Sequence, residues 1–588
     1  MKNIFKFIAT LAICLTFATS CEDFLDRPAE DSFTIANFYQ NDSQCEQGIY
    51  YLYSSPWYDI IRFYIYGSET MAGNVYQGSS AYLSLTVNGS DEDLTKMSES
   101  LWAVNAQCNT VIKNISESEG PTQACKDKCI GEALAWKAMA YFMLVRSFGA
   151  VPIVHSNLEL IASASYNQVE KVEIADVYEY IIMTLEKAIE LLPTNAYIGQ
   201  YNRIDKYAAE GLLAKVYLAK AGVSGSLDNS DLKKAYEYAV DVINNSGRSL
   251  TLNYQDVFRL SPSLYQQSGE CLFSWLWTST SGIWTCQNSI QSDVGLTGFD
   301  EYNATWGDWK GPSVDLMDAF GVSAADDPEV RKGEKDTRRK ATCMMMGDKY
   351  DHYWMEFGGF DVGRFFYDDD YKQWGGNSSW PCPTGAQYAK HLYGCGSDHT
   401  SQLGVSAARM CYQLPTHILR LSDVYLVAAE AAVLTGDSGN ALTYINAVRT
   451  RAGVDALKSV TWEDVWKERR LELALEGDRW YDFVRRSYYD MDGCISELLA
   501  QRRSYWDGLD SAYKPYLVDD TGNYVGAGAA SSWDASSVTY NNLYDLKDVK
   551  ASMFTLPMPD EDAVLNPNMG TAATPIHIDV RNTYSFDF

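Results

Sequence analysis

The chain is predicted to be mostly α: a tetratricopeptide-like scaffold of helical hairpins with large irregular, loop-rich insertions and a few short strands. Three observations lead there. Apolar residues at helical spacing recur from Leu101 onward, in segments that end at Gly or Pro. Helix pairs with Ala and Gly at contact positions recur at roughly 34-residue intervals, and such pairs stack because none can bury its faces alone. Between residues 279 and 411 the periodicity gives way to Gly-, Ser-, Asn- and aromatic-rich text, and loops of that length in a compact protein usually serve function.

The first twenty residues read as a removable export signal. Lys2 and Lys6 form the positive end, Phe7 to Phe17 the apolar stretch, and Ala18, Thr19 and Ser20 the small residues before a cleavage site. The apolar run falls short of the about 20 residues that a membrane crossing needs. Cys21 follows at once, as in a bacterial lipobox. Its thiol is the expected lipidation site, and several acyl chains would hold the protein on a membrane without a spanning helix.

The helices follow in order. "LWAVNAQCNTVIKNI" puts Leu101, Val104, Cys108, Val111 and Ile115 on one stripe. "CIGEALAWKAMAYFMLVRSFG" (Cys129–Gly149) is Ala-rich and apolar, with Pro152 beyond its end. Ala175–Pro193 is amphipathic, and Asp205–Gly222 with Asp231–Gly247 makes a hairpin. A second hairpin spans Thr416–Gly453, with "TGDSGN" as its turn. "CLFSWLW" (Cys271–Trp277) is the best strand candidate. Trp102, Trp136, Trp275, Trp462 and Trp480 sit on periodic segments and are assigned to the core.

Composition narrows the partners. The formal charge is -29, and -31 once Lys2 and Lys6 leave with the signal. Such an acidic chain repels nucleic acid and anionic lipid heads. Of 13 cysteines, Cys14 and Cys21 are accounted for, which leaves an odd number, so at least one thiol stays unpaired. Cys125 and Cys129 lie four apart on an expected helix, and Cys382 and Cys395 flank a Gly-rich loop. Spacing does not give connectivity. With six scattered His and no CxxC pair, neither a metal cluster nor a cofactor is expected. "DDD" (Asp368–Asp370) lacks EF-hand spacing and reads as a solvated acidic turn.

Four stretches carry a family resemblance. They are "CEDFLDRPAEDSFT" (Cys21–Thr34), "VYLVAAEAAVLTGDSGNALTYINAVRTRAGV" (Val424–Val454), "WKERRLELALEGDRWYDFVRR" (Trp466–Arg486) and "LPMPDEDAVLNPN" (Leu556–Asn568). In this order the chain resembles the SusD/RagB family of surface nutrient-binding lipoproteins. Lys340–Cys411 and Ser487–Lys550 depart from the family pattern. The resemblance implies one SusD-like unit over 21–588 after the signal at 1–20. Its helical scaffold would span about 35–260 and 412–486, with a loop-rich ligand-binding part at about 261–411 and an irregular C-terminal part at 487–588. It further implies an outer-membrane protein facing the cell exterior, with a SusC-like TonB-dependent transporter as partner. Oligosaccharide or polysaccharide would be the ligand, or peptide in the RagB branch.

Two groups of residues compete for the chemistry. In "ERRLELALEGDRWYDF", Glu472 and Glu476 could pass for the carboxylate pair of a glycosidase. Interleaved with Arg469, Arg470 and Arg479, they read instead as an ion-pair network bracing the turn at Gly477. The aromatic loops are the candidate glycan site, since flat sugar faces pack on Trp and Tyr while amides and carboxylates meet the hydroxyls. Trp284, Tyr302, Asn303, Trp306, Asp308 and Trp309 belong to it, together with Asn74, Tyr76, Gln77 and Tyr82 in "AGNVYQGSSAY". No catalytic residue is expected. A lipid-anchored glycoside hydrolase would need carboxylates converging from separate loops, for which Glu301, Asp308, Glu356 and Asp361 are available. A pure helical-repeat scaffold would not need so many aromatics in loops.

Overall fold

A computed structural model of the chain describes residues 38–195, 203–261 and 269–588. The export signal and Cys21 lie outside these residues. The architecture is the expected one, a stack of helical hairpins with irregular insertions and short two-stranded sheets. After a short helix α1 (Asp42–Tyr50) come α2 (Glu92–Glu117), α3 (Gln123–Phe148), α4 (Ile174–Leu191), α5 (Lys206–Lys220) and α6 (Asn229–Asn245). Beyond the insertion follow α7 (Leu421–Leu434), α8 (Ser438–Arg451), α9 (Trp462–Glu472) and α10 (Arg479–Ser487).

Side-chain caps set the starts. Asp91, Thr122, Asp205, Asp228 and Asp437 each accept a backbone N–H from the first turn of the helix they precede. Helix α3 is apolar on all sides and nearly every residue from Cys129 to Phe148 is buried, which makes it the axis of the core. Successive helices pack from α2 through α6, and α6 then packs on α7, so hairpins 175 residues apart in sequence form one stack. The intervening chain leaves and returns through one antiparallel pair. Cys271–Trp275 pairs with Thr416–Arg420. The sequence places Thr416–Arg420 at the head of a helical hairpin, and the structure corrects this. All five residues of "THILR" are buried, their backbone pairs with the strand Cys271–Trp275, and the helix starts at Leu421.

Trp136, Trp275 and Trp480 are fully buried, while Trp102 and Trp462 are half-buried against the core. Ten of the eleven described cysteines are free thiols, and the eleventh, Cys271, hydrogen-bonds with the Ser274 hydroxyl at 2.9 Å. In the acidic turn, Asp368 pairs with Arg364 and Asp369 with Lys372. No described helix is long and apolar enough to cross a membrane.

The signature around Gly477 is a buried ion network. Arg420 meets Glu270, Glu472 and Glu476, Arg451 meets Glu270 and Glu472, and Arg338 meets Asp336, Glu468 and Glu472. Lys390 holds Glu476 and Arg449 holds Glu468. Arg469 belongs to the same helix but does not pair with Glu472. Helix α9 ends at Glu472, and Arg469 turns to Asp423, Asp478 and Asp482.

Candidate functional site

The outward aromatic face is built on residues 55–67. Pro56 opens a 3-10 turn over Ser55–Ile60, and a π turn follows at Phe63–Gly67, a distortion frequent at functional sites. The stretch buries Trp57, Ile60, Ile61, Phe63 and Ile65. Tyr58, Arg62 and Tyr66 follow at positions i, i+4 and i+8, Tyr58 half-buried, Arg62 exposed and Tyr66 buried.

Each of these three residues receives a side chain from the insertion. The Tyr58 ring meets Trp284 edge-on, centroids 5.8 Å apart. Arg62 lies 3.6 Å from Asp293, whose Oδ1 also accepts the Trp306 indole N–H at 3.1 Å. Lys310 places its ammonium 3.9 Å from the centre of the Tyr66 ring and 5.5 Å from that of Trp309. Trp284, Trp306 and Trp309 are respectively 55%, 39% and 50% exposed. They rank among the large apolar side chains that the fold leaves in solvent.

The loop that presents Trp306 and Trp309 is clamped from below. Trp306 N donates to Ser292 O and Gly307 N to Gly295 O. A side chain at Gly307 would come within 2.4 Å of the Val294 backbone, so only glycine allows this approach. Asp308 accepts from Thr297 N at 2.8 Å and from the Thr297 hydroxyl. The carboxylate of Asp308 is therefore a loop brace.

Electrostatics follow from burial. Lys310 is 3% exposed with no hydrogen-bond or ion-pair acceptor among the described residues, and burial lowers its pKa to about 8. The charge of Asp293 raises that of Arg62. Burial raises that of Asp93, at the start of α2 nearby.

Several sequence candidates lie elsewhere. Asn74, Tyr76 and Tyr82 are buried, and this corrects their assignment to the glycan site. Asn74 donates to Glu69 at 2.7 Å and accepts from Arg470 at 2.8 Å. The Tyr82 hydroxyl donates to Asp91, and Tyr76 packs edge-on against Tyr505. Gln77 is half-buried beside Thr70. Tyr302 is half-buried and donates to Ala407 O at 2.9 Å. Asn303 is exposed with φ of +49°, a turn position. Sequence reasoning missed Tyr58, Arg62, Tyr66, Asp293 and Lys310. The available signal was Tyr-Arg-Tyr at four-residue spacing in "YDIIRFYIY", where a lone Arg interrupts an apolar run.

The four carboxylates of the hydrolase reading do not converge. Glu301 accepts from Gly396 N, Asp308 braces Thr297, and Asp361 caps the helix Val362–Tyr367. Glu356 is exposed in a separate turn.

The stacked-helix body with its exposed tryptophans has counterparts among known proteins. The SusD family model matches residues 286–573, and a model described as starch-binding and associating with the outer membrane matches residues 23–218. A SusD-like protein of Bacteroides ovatus is 30% identical over 98% of both chains. The chain belongs to the SusD family. A crystal structure with xylogluco-oligosaccharide is similar at a TM-score of 0.72 and 26% identity, covering 91% of this chain and 99% of that one. A laminarin-binding SusD-like protein shares the fold at a TM-score of 0.61 and 20% identity, with coverage of 90% and 98%.

Proposed function

We propose that the protein binds an oligosaccharide on the Trp284–Trp306–Trp309 face without cleaving it. The observation that carries this is three exposed indoles tied to the Tyr58–Arg62–Tyr66 stripe, Trp284 directly through Tyr58, Trp306 through Asp293 and Trp309 beside Lys310. Indole faces pack against sugar C–H faces, and the exposed guanidinium of Arg62 supplies donors beside them. The related structure that holds a xylogluco-oligosaccharide supports a glycan as ligand. The description of the model matching residues 23–218 supports an outer-membrane location. On this reading the chain is anchored by lipid at Cys21, faces the exterior, and passes its ligand to a SusC-like TonB-dependent transporter. Peptide is the second ligand class to be tested, because the RagB branch of the family takes it.

Isothermal calorimetry of the mature chain against glycan and peptide panels tests the ligand. Binding of at least one glycan, lost when Trp306 and Trp309 are both changed to Ala, is the expected result. Binding that survives the double substitution removes this face from the function. Labelled palmitate tests the anchor, and Cys21→Ala abolishes incorporation if it is the lipid site.

A further inference from the structure

Helix α1 crosses the start of α3 at a small thiol cluster that the glycan face does not use. Cys125 and Cys129 occupy successive turns of α3 and face the same way, with their Sγ atoms 3.9 Å apart. Glu46 of α1 reaches over them, and one of its carboxylate oxygens and the two sulfurs all lie within 4.8 Å of one another. A tetrahedral zinc ion with Zn–S bonds of about 2.3 Å requires two sulfurs about 3.8 Å apart. The thiol pair already has that spacing. Cys129 is buried and Cys125 retains 8% exposure, so the cluster lies just under the surface.

We propose that Cys125, Cys129 and Glu46 form a site for a divalent ion of the zinc class, the fourth position being left to water. Two thiolates and a carboxylate suit a borderline-soft d10 ion better than calcium or magnesium, which take oxygen ligands. Binding releases the two thiol protons to solvent and puts three anionic ligands around a dication. Two cations already stand at the cluster to balance the excess negative charge. Lys128 lies 3.0 Å from Glu46, and Arg203 pairs with both Glu46 and the buried Glu132. As Glu46 turns one oxygen to the metal, Arg203 keeps the other and retains Glu132. The ion would staple α1, the first described helix, to the core helix α3. The sequence argued against a metal because it shows no CxxC pair. The third ligand comes from a residue 79 positions before Cys125, which spacing does not reveal.

Cadmium is the probe, because thiolate-to-cadmium charge transfer absorbs in the ultraviolet where zinc is silent. Titrating the reduced, metal-free mature chain with cadmium should give this band with saturation at one ion per chain. Cys125→Ser and Cys129→Ser should each remove most of it, while the other cysteines stay in place. Glu46→Gln should keep the band but require more cadmium to saturate it. Zinc added to the metal-free chain should raise the thermal midpoint of the parent, but not that of Cys125→Ser. A band of undiminished intensity in both serine variants overturns the proposal, as does no band at all in the parent. Mass spectrometry that finds Cys125 and Cys129 joined to each other in the native protein also overturns it.

Discussion

Glu472→Gln is the most direct test of what holds this fold together. Glu472 is fully buried, and its carboxylate meets Arg420, Arg451 and Arg338. The connected network contains Arg338, Lys390, Arg420, Arg449 and Arg451 against Glu270, Asp336, Glu468, Glu472 and Glu476. Five positive charges face five negative ones, so the cluster is neutral. The amide that Glu472→Gln introduces would keep the shape, remove one negative charge and turn an N–H2 group toward guanidinium donors. An uncompensated buried charge of this kind costs about 3–5 kcal/mol. Urea unfolding at pH 7, followed by tryptophan fluorescence, should show a loss of that size. Arg451→Gln in the same chain restores neutrality, so the double variant should lose less than the two single losses added together. A Glu472→Gln loss below about 1 kcal/mol would show that water screens the network, and the bracing argument would fail.

Other consequences can be measured alongside it. His391 is buried with its Nε2 2.6 Å from Leu475 O, and burial lowers its pKa to about 4. The unfolded chain takes up this proton near pH 6.5 and the folded chain resists it, so stability is lost as pH falls from about 6.5 to 4, by about 3 kcal/mol for this group. His391→Gln should flatten the measured pH dependence by about that amount, and an unchanged slope would refute it. Gly477 has φ of +79°, and a Cβ there would lie 2.5 Å from the Tyr64 ring. Gly477→Ala should therefore cost about 2–5 kcal/mol of unfolding free energy from left-handed strain and overpacking. On the glycan face, exposures of 55% and 39% leave about 140 and 100 Å² of Trp284 and Trp306 for a ligand to cover. At about 25 cal/mol/Å², full coverage is worth about 3.4 and 2.4 kcal/mol. Calorimetry should thus rank Trp284→Ala above Trp306→Ala in lost affinity, and the reverse order would place the sugar elsewhere on the face.

The helical scaffold was legible because its signals are local. Asp205 and Asp228 cap the helices that the apolar period marks, and Gly149 ends α3 with φ of +70°. Helix α2 begins nine residues before the stripe read from Leu101. Its first turns, from Glu92, are acidic and polar outside while Leu94 and Met97 face the core. The strand Thr416–Arg420 was hidden for the opposite reason, since five residues with only Ile418 and Leu419 apolar show no period of their own and the partner Cys271–Trp275 is far away in sequence. The three tryptophans stood out because Gly-rich text cannot bury them. Arg62 and Tyr66 did not, because the segment around them is apolar and only tertiary packing shows that Arg62 faces out and that Tyr66 lies under Lys310. Asn74 and Tyr82 misled because a loop composition conceals a core position.

The signature helix and the proposed glycan face are parts of one mechanical unit. Arg470 donates to Asn74 Oδ1 at 2.8 Å and to Gly73 O at 3.3 Å, and pairs with Asp315 at 2.7 Å. Asn74 precedes Val75–Tyr76, which pairs antiparallel with Gly311–Pro312, and Trp309 stands two residues before that pair. One guanidinium of α9 thus ties the early loop to the segment that presents Trp309. A rigid platform loses little conformational freedom when a ligand docks, so its affinity depends on this support as well as on its rings. Lys has the charge but not the planar fork, and cannot hold Asn74, Gly73 and Asp315 together. Arg470→Lys should therefore weaken glycan binding several-fold although Arg470 lies away from the exposed indoles, and should speed amide exchange at Val75, Tyr76 and Gly311. Unchanged affinity together with faster exchange would show that the platform does not depend on the strand pair. Unchanged exchange would show that the pair does not depend on Arg470.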